Sequence, residues 1–331
     1  MGQKRQYIFQ TNWSQKRRYV SIWLSILALL IVSIVLLGGY TRLTGSGLSI
    51  VQWAPLSGIV PPLDQAAWEH EFDQYKMFPE YQIVNNYLTL KEFKFIFMVE
   101  FLHRILGRVI GLVMIVPIIY FYHKRYIVKK DLFKYLNMTA LLALQGFIGW
   151  YMVKSGLSQN PHVSHYRLSI HLITAVLLYS FIVWQIIPSN SYGNTSLKFK
   201  LSLLLGIIYL QTFFGGMTAG LKAGLVYNTF PLMGQAFIPH ELEILDLNNA
   251  VSVQFIHRIL AYVAFGLSIY FSLSLYKKHK YLALTIVAVC GLQLLLGVLT
   301  LLYSVPISLG LAHQFGALML ITCVIYAIKK V

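Results

Sequence analysis

Four ionisable side chains lie inside one long apolar stretch of the chain. They belong to the segment EFLHRILGR, as Glu100, His103, Arg104 and Arg108, with KFIFMV before it and VIGLVMIVPIIYFY after it. The stretch is long enough to span a bilayer as a helix, and ionisable groups at membrane depth mark a functional site by default. Glu100 and His103 share one helical face, and the two arginines lie one turn apart beside them. This set suits an anionic metal cofactor such as haem, whose iron takes imidazole and whose propionates take arginine.

The composition predicts a polytopic, all-α membrane protein. Of 331 residues, 57% are hydrophobic and 11% charged. The net charge of +16 does not indicate a nucleic-acid partner, because its distribution follows the membrane. Seventeen of the 27 Lys and Arg residues fall in five clusters at alternate ends of the apolar spans, at residues 4–18, 124–134, 198–200, 277–280 and 329–330. Nine of the 11 acidic residues lie in the opposite loops, so the pattern is positive-inside with both termini cytoplasmic.

Eight apolar runs are predicted to cross the lipid bilayer. They cover residues 21–40, 93–122, 135–153, 168–187, 199–217, 251–275, 281–302 and 307–328. The longest outer loop, residues 41–92, is expected to be partly helical and to pack against the membrane surface. A short polar linker, PSNSYGNTS, separates two halves, residues 1–188 and 189–331.

The two halves repeat each other. The segment GGYTRLTGSGLSIVQWAPLSG from Gly38 matches GGMTAGLKAGLVYNTFPLMG from Gly215 with one gap, and EFLHRIL from Glu100 matches QFIHRIL from Gln254. LQGFIG at residue 144 likewise resembles LQLLLG at residue 292. Because each repeat has four spans, both halves share one orientation, which predicts two pseudo-symmetric four-helix bundles related by an axis along the membrane normal.

One histidine is predicted in the outer part of each inward-running span. These four are His103, His171, His257 and His313. Their expected spread in depth is about 7 Å at a helical rise of about 1.5 Å per residue. Each half therefore offers two imidazoles at similar depth, as bis-histidine ligation of a haem iron requires. Buried histidines bonded only to backbone carbonyls are the alternative, and four matched positions argue against it.

The repeat is asymmetric at the acidic position. Glu100 of the first half corresponds to Gln254 of the second, and Arg108 corresponds to Tyr262. A carboxylate can move protons or stabilise a developing cation, whereas an amide only forms hydrogen bonds. We therefore expect chemistry in the first half and a haem for electron transfer or structure in the second. The alternative is that Glu100 serves only to pair with Arg104.

These residues resemble the haem A synthase family, of the kind found in mitochondria and related bacteria. The likeness rests on the paired HRIL helices, the E-x-x-H motif, the GGYTRLTGSGLS loop and the four outer histidines, and it covers most of the chain. It implies an oxidase that converts haem O to haem A by successive hydroxylations of a porphyrin methyl group to a formyl group. In that pattern His103 and His171 flank the substrate haem, His257 and His313 ligate a haem b, and Glu100 is essential.

The resemblance also implies partners and a location. A haem O synthase would deliver the substrate, and the product would be used in the assembly of a terminal haem-copper oxidase. An electron acceptor of unknown class would also be needed. A bacterial inner (plasma) membrane is expected in preference to the mitochondrial inner membrane. Some bacterial relatives carry a cysteine pair in the first outer loop, but here both outer loops lack cysteine, so no thiol step is expected there.

Several alternatives stay open on the residues alone. Arg104, Arg108 and Arg258 are candidates for propionate contacts from their charge. A diheme b-type cytochrome that takes electrons from quinol, or a non-catalytic haem carrier, would use the same four histidines. GxxxG patterns at residues 107–111, 216–220 and 220–224 indicate close helix packing, within the chain or in a homo-oligomer.

Overall fold

The computed structural model describes residues 2–53, 58–158, 161–189 and 194–331, with side chains from residue 16 onward. Over these ranges the chain is helical and contains no β-strand. Its helices are α1 (Gly2–Leu43), α2 (Gln65–Lys76), α3 (Leu90–His123), α4 (Lys129–Gly156), α5 (His165–Ile186), α6 (Thr195–Gly220), α7 (Ala250–Tyr276), α8 (Lys280–Leu302) and α9 (Ile307–Lys330). Part of the predicted linker, residues 190–193, and part of the first repeat loop, residues 54–57, lie outside the described ranges.

The eight predicted spans are confirmed as helices. All the helices named above except α2 are long and apolar enough to cross a membrane. The chain is thus a multi-pass membrane protein by helix length and composition. Several helices begin earlier than the apolar pattern alone predicts. In α3 the cause is a capping box, in which Thr89 and Glu92 each bond the other's backbone N–H.

Each half forms a closed ring of four helices. In the first half α1 contacts α3, α3 contacts α4, α4 contacts α5, and α5 returns to α1. In the second half the same cycle runs through α6, α7, α8 and α9. Between the halves α5 contacts α6, α1 contacts α9, and α5 contacts α9. Every contact within one ring has its equivalent in the other, while the exact two-fold relation and the boundary at residue 188 stay predictions from the repeat.

The large apolar cluster and the histidines lie toward opposite ends of the helices. The large buried apolar cluster occupies the end of the bundle where α9 ends, with members such as Leu27, Met114, Leu204, Ile286 and Ile321. The matched histidines lie toward the opposite end, which carries residues 44–89 and 221–249 and is called the outer end below. The large apolar cluster therefore holds the helices together at the end away from the histidines, and a smaller apolar cluster around Phe93 lies at the outer end.

The long first outer loop is partly helical, as expected, and its aromatic side chains pack on α3. Phe72 and Tyr75 of α2 stack on Phe93 at 4.9 and 5.2 Å between ring centroids. A π-helical turn, Glu80–Asn85, follows α2. Its Glu80 is 8% exposed and accepts a hydrogen bond from the Tyr75 hydroxyl at 3.0 Å. The loop is thus held to the protein by a buried aromatic and polar contact.

The buried Glu80 predicts how the stability of this loop depends on pH. Burial raises the pKa of Glu80 to about 8, well above its ordinary value of 4.5. Between these values the folded state keeps a proton that the unfolded state has released, so stability falls as pH rises from about 5 to 8, by at most about 1.4 kcal/mol per pH unit. Thermal unfolding of the detergent-solubilised protein should show this decline, and Glu80→Gln should flatten it. Parallel pH profiles for the two proteins would contradict the assignment.

Candidate functional site

Glu100 lies buried where α3 meets the first outer loop. It is 3% exposed. Its Oε2 accepts hydrogen bonds from the Ser49 hydroxyl at 2.8 Å and the Ile50 backbone N–H at 2.9 Å. Its Oε1 accepts two from Arg104, at 2.7 Å from Nη2 and 3.1 Å from Nε. The predicted pairing of Glu100 with Arg104 is therefore present, but the carboxylate also binds the loop, and its orientation is fixed from two sides.

Arg104 joins the same loop to α3. Beyond Glu100 it donates to the carbonyl oxygens of Ile50 at 2.9 Å and Gln52 at 3.2 Å. Its guanidinium lies 5.6 Å from the centre of the Trp53 ring. These contacts hold residues 50–53 over the outer end of α3.

The second half builds the same contact from its own arginine. Arg258 donates to the carbonyl oxygens of Tyr227 and Thr229, both at 2.9 Å. In the repeat Tyr227 and Thr229 take the places of Ile50 and Gln52, so each HRIL arginine makes equivalent bonds to its own loop. Their propionate contacts stay a prediction. Most of these donors are occupied by backbone carbonyls, although the buried Nε of Arg258 has no hydrogen-bond partner among the described residues.

Each of the four histidines faces a glycine on a neighbouring helix. A Cβ added at these glycines would lie between 2.9 and 3.3 Å from the histidine Cε1, for the pairs His103 with Gly38, His171 with Gly149, His257 with Gly215, and His313 with Gly297. Gly38 and Gly215 are equivalent in the repeat, as are Gly149 and Gly297. The glycines therefore make room for the imidazoles at matched depth. Sequence reasoning noted the repeated glycines but missed this role.

The two histidines of the second half lie close together. The rings of His257 and His313 have centroids 6.5 Å apart and planes at 85°. An imidazole nitrogen binds a metal at about 2 Å, so two rings that bind one ion from opposite sides have centres roughly 6 Å apart. His103 of α3 and His171 of α5 are the equivalents of this pair in the repeat. The second half thus offers one histidine from each of two helices, and the same pairing in the first half stays a prediction from the repeat.

Buried ring nitrogens without partners support the fit to haem. The Nδ1 atoms of His103, His171 and His257 are buried and have no hydrogen-bond partner among the described residues. Because buried polar atoms are normally satisfied, such nitrogens mark places that the chain alone does not complete. In the described part of the chain no cluster of three or more His, Cys, Asp or Glu could hold a metal ion. A haem needs only axial ligands from the protein, so a histidine pair suffices.

A cavity lies beside the arginine of the first half. It has a volume of about 330 Å³ and separates Arg104 and the loop at Trp53 from the end of α4, where Trp150 and Lys154 line it. In the second half Tyr262 replaces Arg108 and lies with its ring 6.3 Å from that of Phe230.

Alanine at Gly297 is expected to disturb His313 directly. Its Cβ would lie 2.9 Å from the imidazole Cε1, and overpacking of this kind costs about 1–3 kcal/mol. We expect Gly297→Ala to lower the haem content of the purified protein, measured as haem per polypeptide. Gly266→Ala on α7 is the matched control, since a Cβ there meets nothing within 4 Å. Equal haem content in both variants would contradict the steric role of Gly297.

Comparison with known proteins agrees with this site. Residues 21–325 match the family described as cytochrome oxidase assembly protein, COX15-CtaA. A protein of Rickettsia canadensis named heme A synthase is 45% identical over 324 residues, which cover 93% of this chain and 96% of the relative. Heme A synthases of Rickettsia africae and Rickettsia felis are 43% and 42% identical, with 94% of this chain and 97% of each relative covered. The family resemblance drawn from the paired HRIL helices is confirmed, and the chain belongs to the COX15-CtaA family of cytochrome oxidase assembly proteins.

Proposed function

We propose that this chain is a haem A synthase, which oxidises a porphyrin methyl group of haem O to the formyl group of haem A. The observation that carries the proposal is the difference between the residues that lie beside the two histidine pairs. Glu100 provides a buried carboxylate one turn from His103, whereas the second half has Gln254 in that place. The relatives named heme A synthase support the same reaction, since they match nearly the whole chain.

The proposed division of labour assigns one haem to each half. In residues 1–188, His103 and His171 bracket the substrate haem. In residues 189–331, His257 and His313 ligate a resident haem b. The cavity beside Arg104 supports this assignment, because an exchanging ligand needs access to its site. Arg108 is the proposed propionate contact of the first half, with Arg258 Nε in the second.

Side chains cannot oxidise an unactivated methyl group, so the bound haem supplies the redox chemistry. The protein positions the reacting carbon and handles protons. Glu100 accepts a proton released there or stabilises positive charge that develops on that carbon. Ser49, Ile50 and Arg104 hold its two oxygens in place. Each hydroxylation would take either molecular oxygen together with two electrons and two protons from a reductant, or water together with an acceptor for two electrons and release of two protons. In the oxygen route one of His103 and His171 would have to leave the iron free.

The membrane location, the orientation and the partners of the protein are part of the same proposal. The protein would lie in a bacterial inner membrane with both termini cytoplasmic, receive haem O from its synthase and supply haem A to terminal oxidase assembly. An electron acceptor completes it, and no nucleic acid is involved. Gly216 and Gly220 of the GxxxG patterns lie against Ser169 and His165 of α5, so these two glycines serve packing within the chain. The basic clusters on the side of the termini support this orientation.

Co-expression with a haem O synthase, in a host that makes no haem A, tests the reaction. We expect membranes that contain both proteins to yield haem A, or a hydroxylated haem O, in the extracted haem. Membranes with the haem O synthase alone serve as the control. A diheme cytochrome or a haem carrier would leave haem O unchanged, and that result would overturn the proposal.

A further inference from the structure

The cavity beside Arg104 has two walls, and each wall pairs a tryptophan with a cation. On the side of the first outer loop, the Arg104 guanidinium lies 5.6 Å from the centre of the Trp53 ring. On the side of α4, the Lys154 Nζ lies 5.2 Å from the centre of the Trp150 ring. All four residues line the same space of about 330 Å³. Aromatic walls with two positive charges suit a ligand that is largely apolar and carries an acidic group.

Both cations keep hydrogen-bond donors for such a group. The bonds of Arg104 to Glu100, Ile50 and Gln52 use four of its five N–H groups, so one N–H of Nη1 has no acceptor among the described residues. The Lys154 ammonium has no hydrogen-bond acceptor or acidic partner in the described part of the chain. A carboxylate in the cavity would accept hydrogen bonds from both side chains, and these would be charge-assisted.

The two cations lie outward of the first-half histidines or beside them. Arg104 follows His103 directly on α3. Lys154 follows Gly149, the glycine that faces His171, by five residues, which places it about 7.5 Å farther toward the outer end along α4. Charged groups of a bound molecule belong at this end, because the large apolar cluster occupies the opposite end of the bundle. We therefore expect a substrate held at the two histidines to direct its carboxylates toward this cavity.

The repeat shows that packing alone does not require a lysine on this wall. In α8 of the second half, Leu302 takes the place of Lys154, and Val298 takes the place of Trp150. The arginine of the HRIL helix is present in both halves, so the lysine and the tryptophan distinguish the first half from the second. The proposed function gives the exchanging substrate to the first half, and the additional cation lies in the half that has to capture a ligand.

We propose that this cavity binds a carboxylate of the substrate haem, and that Lys154 captures it together with the remaining N–H of Arg104. The inference rests on the proposed function, in which the first half binds haem O. It adds a second cationic contact to the one proposed at Arg108, in keeping with the two propionates that a haem carries.

Spectroscopic titration of the full-length, detergent-solubilised protein with haem O and with its dimethyl ester tests the inference. The ester keeps the iron and the porphyrin ring but lacks the two negative charges. Lys154→Leu should weaken the binding of haem O by about 10- to 100-fold, as the loss of a charge-assisted hydrogen bond does. The same variant should bind the ester as the unaltered protein does. Lys154→Arg should bind haem O with nearly the original affinity, because it keeps the charge.

Matched variants separate this role from a general effect of charge at the membrane surface. Lys154→Leu introduces the residue that the second half has at the equivalent position, so the variant is expected to fold. Lys94→Leu is the control, since Lys94 also lies over a tryptophan, 5.3 Å from the centre of the Trp68 ring, but does not line the cavity. It should bind haem O and the ester with the original affinities.

Two results would overturn this inference alone. One is equal weakening of haem O and of the ester in Lys154→Leu, which would assign the lysine to the structure of the site. The other is unchanged binding of haem O in that variant. Failure of the unaltered protein to bind haem O at all would overturn the proposed function as well.

Discussion

Glutamine in place of Glu100 is expected to lower haem A formation by about 10²- to 10⁴-fold while both haems stay bound. The loss follows from the proposed role, since an amide neither accepts a proton nor carries the negative charge that stabilises a cation. Turnover is measured as haem A formed per polypeptide, and haem content is measured on the same preparation. Normal turnover in Glu100→Gln would remove this side chain from the mechanism.

The second half indicates that Glu100→Gln will fold. There Gln254 occupies the equivalent position and donates to the Tyr227 carbonyl at 3.1 Å, while Arg258 keeps its bonds to the loop. Arg104 would similarly retain the carbonyls of Ile50 and Gln52. Glu69→Gln is the matched control, because it makes the same chemical change on the exposed face of α2. That variant should turn over like the unaltered protein.

Alanine in place of His257 or His313 is expected to strip the second half of its haem b. Loss of an outer partner alone costs a metal site about 10- to 100-fold in affinity, so loss of the ligand itself should lower the haem b content by at least about tenfold. The low-spin spectrum that two imidazoles produce should disappear with it. His70→Ala, an exposed position on α2, controls for the loss of a histidine. Full haem b content with an unchanged spectrum in His257→Ala would exclude this residue as a ligand.

The sequence predicts much of this protein because membrane spans and repeats both leave direct patterns. Apolar runs give all eight membrane helices, and the repeat places the four histidines toward one end. Such patterns predict the ends of the helices less well. Residues 90–92 join α3 through the capping bonds of Thr89 and Glu92, which are polar and lie outside the apolar run.

Contacts between distant segments could not be predicted in the same way. Ser49 and Ile50 bind Glu100 across about fifty residues of chain, and no local pattern records that contact. The charge of Arg104 makes it a candidate for a propionate contact, yet its position against the loop depends on how the chain turns back over α3.

The repeat does predict that the two arginines make equivalent contacts. Any contact inferred for Arg104 and residues 50–52 is expected again at Arg258 and residues 227–229, and the structure has it in both places.

The haem composition of the purified protein tests the central claim most directly. The protein is purified after co-expression with a haem O synthase, and its non-covalent haems are extracted and identified by mass. The account predicts haem b together with haem O, a hydroxylated haem O or haem A, in about equal amounts, because each half ligates one haem through two histidines. Haem b alone, reducible by quinol, would contradict the account and identify an electron-transfer cytochrome in which Glu100 has no chemical role.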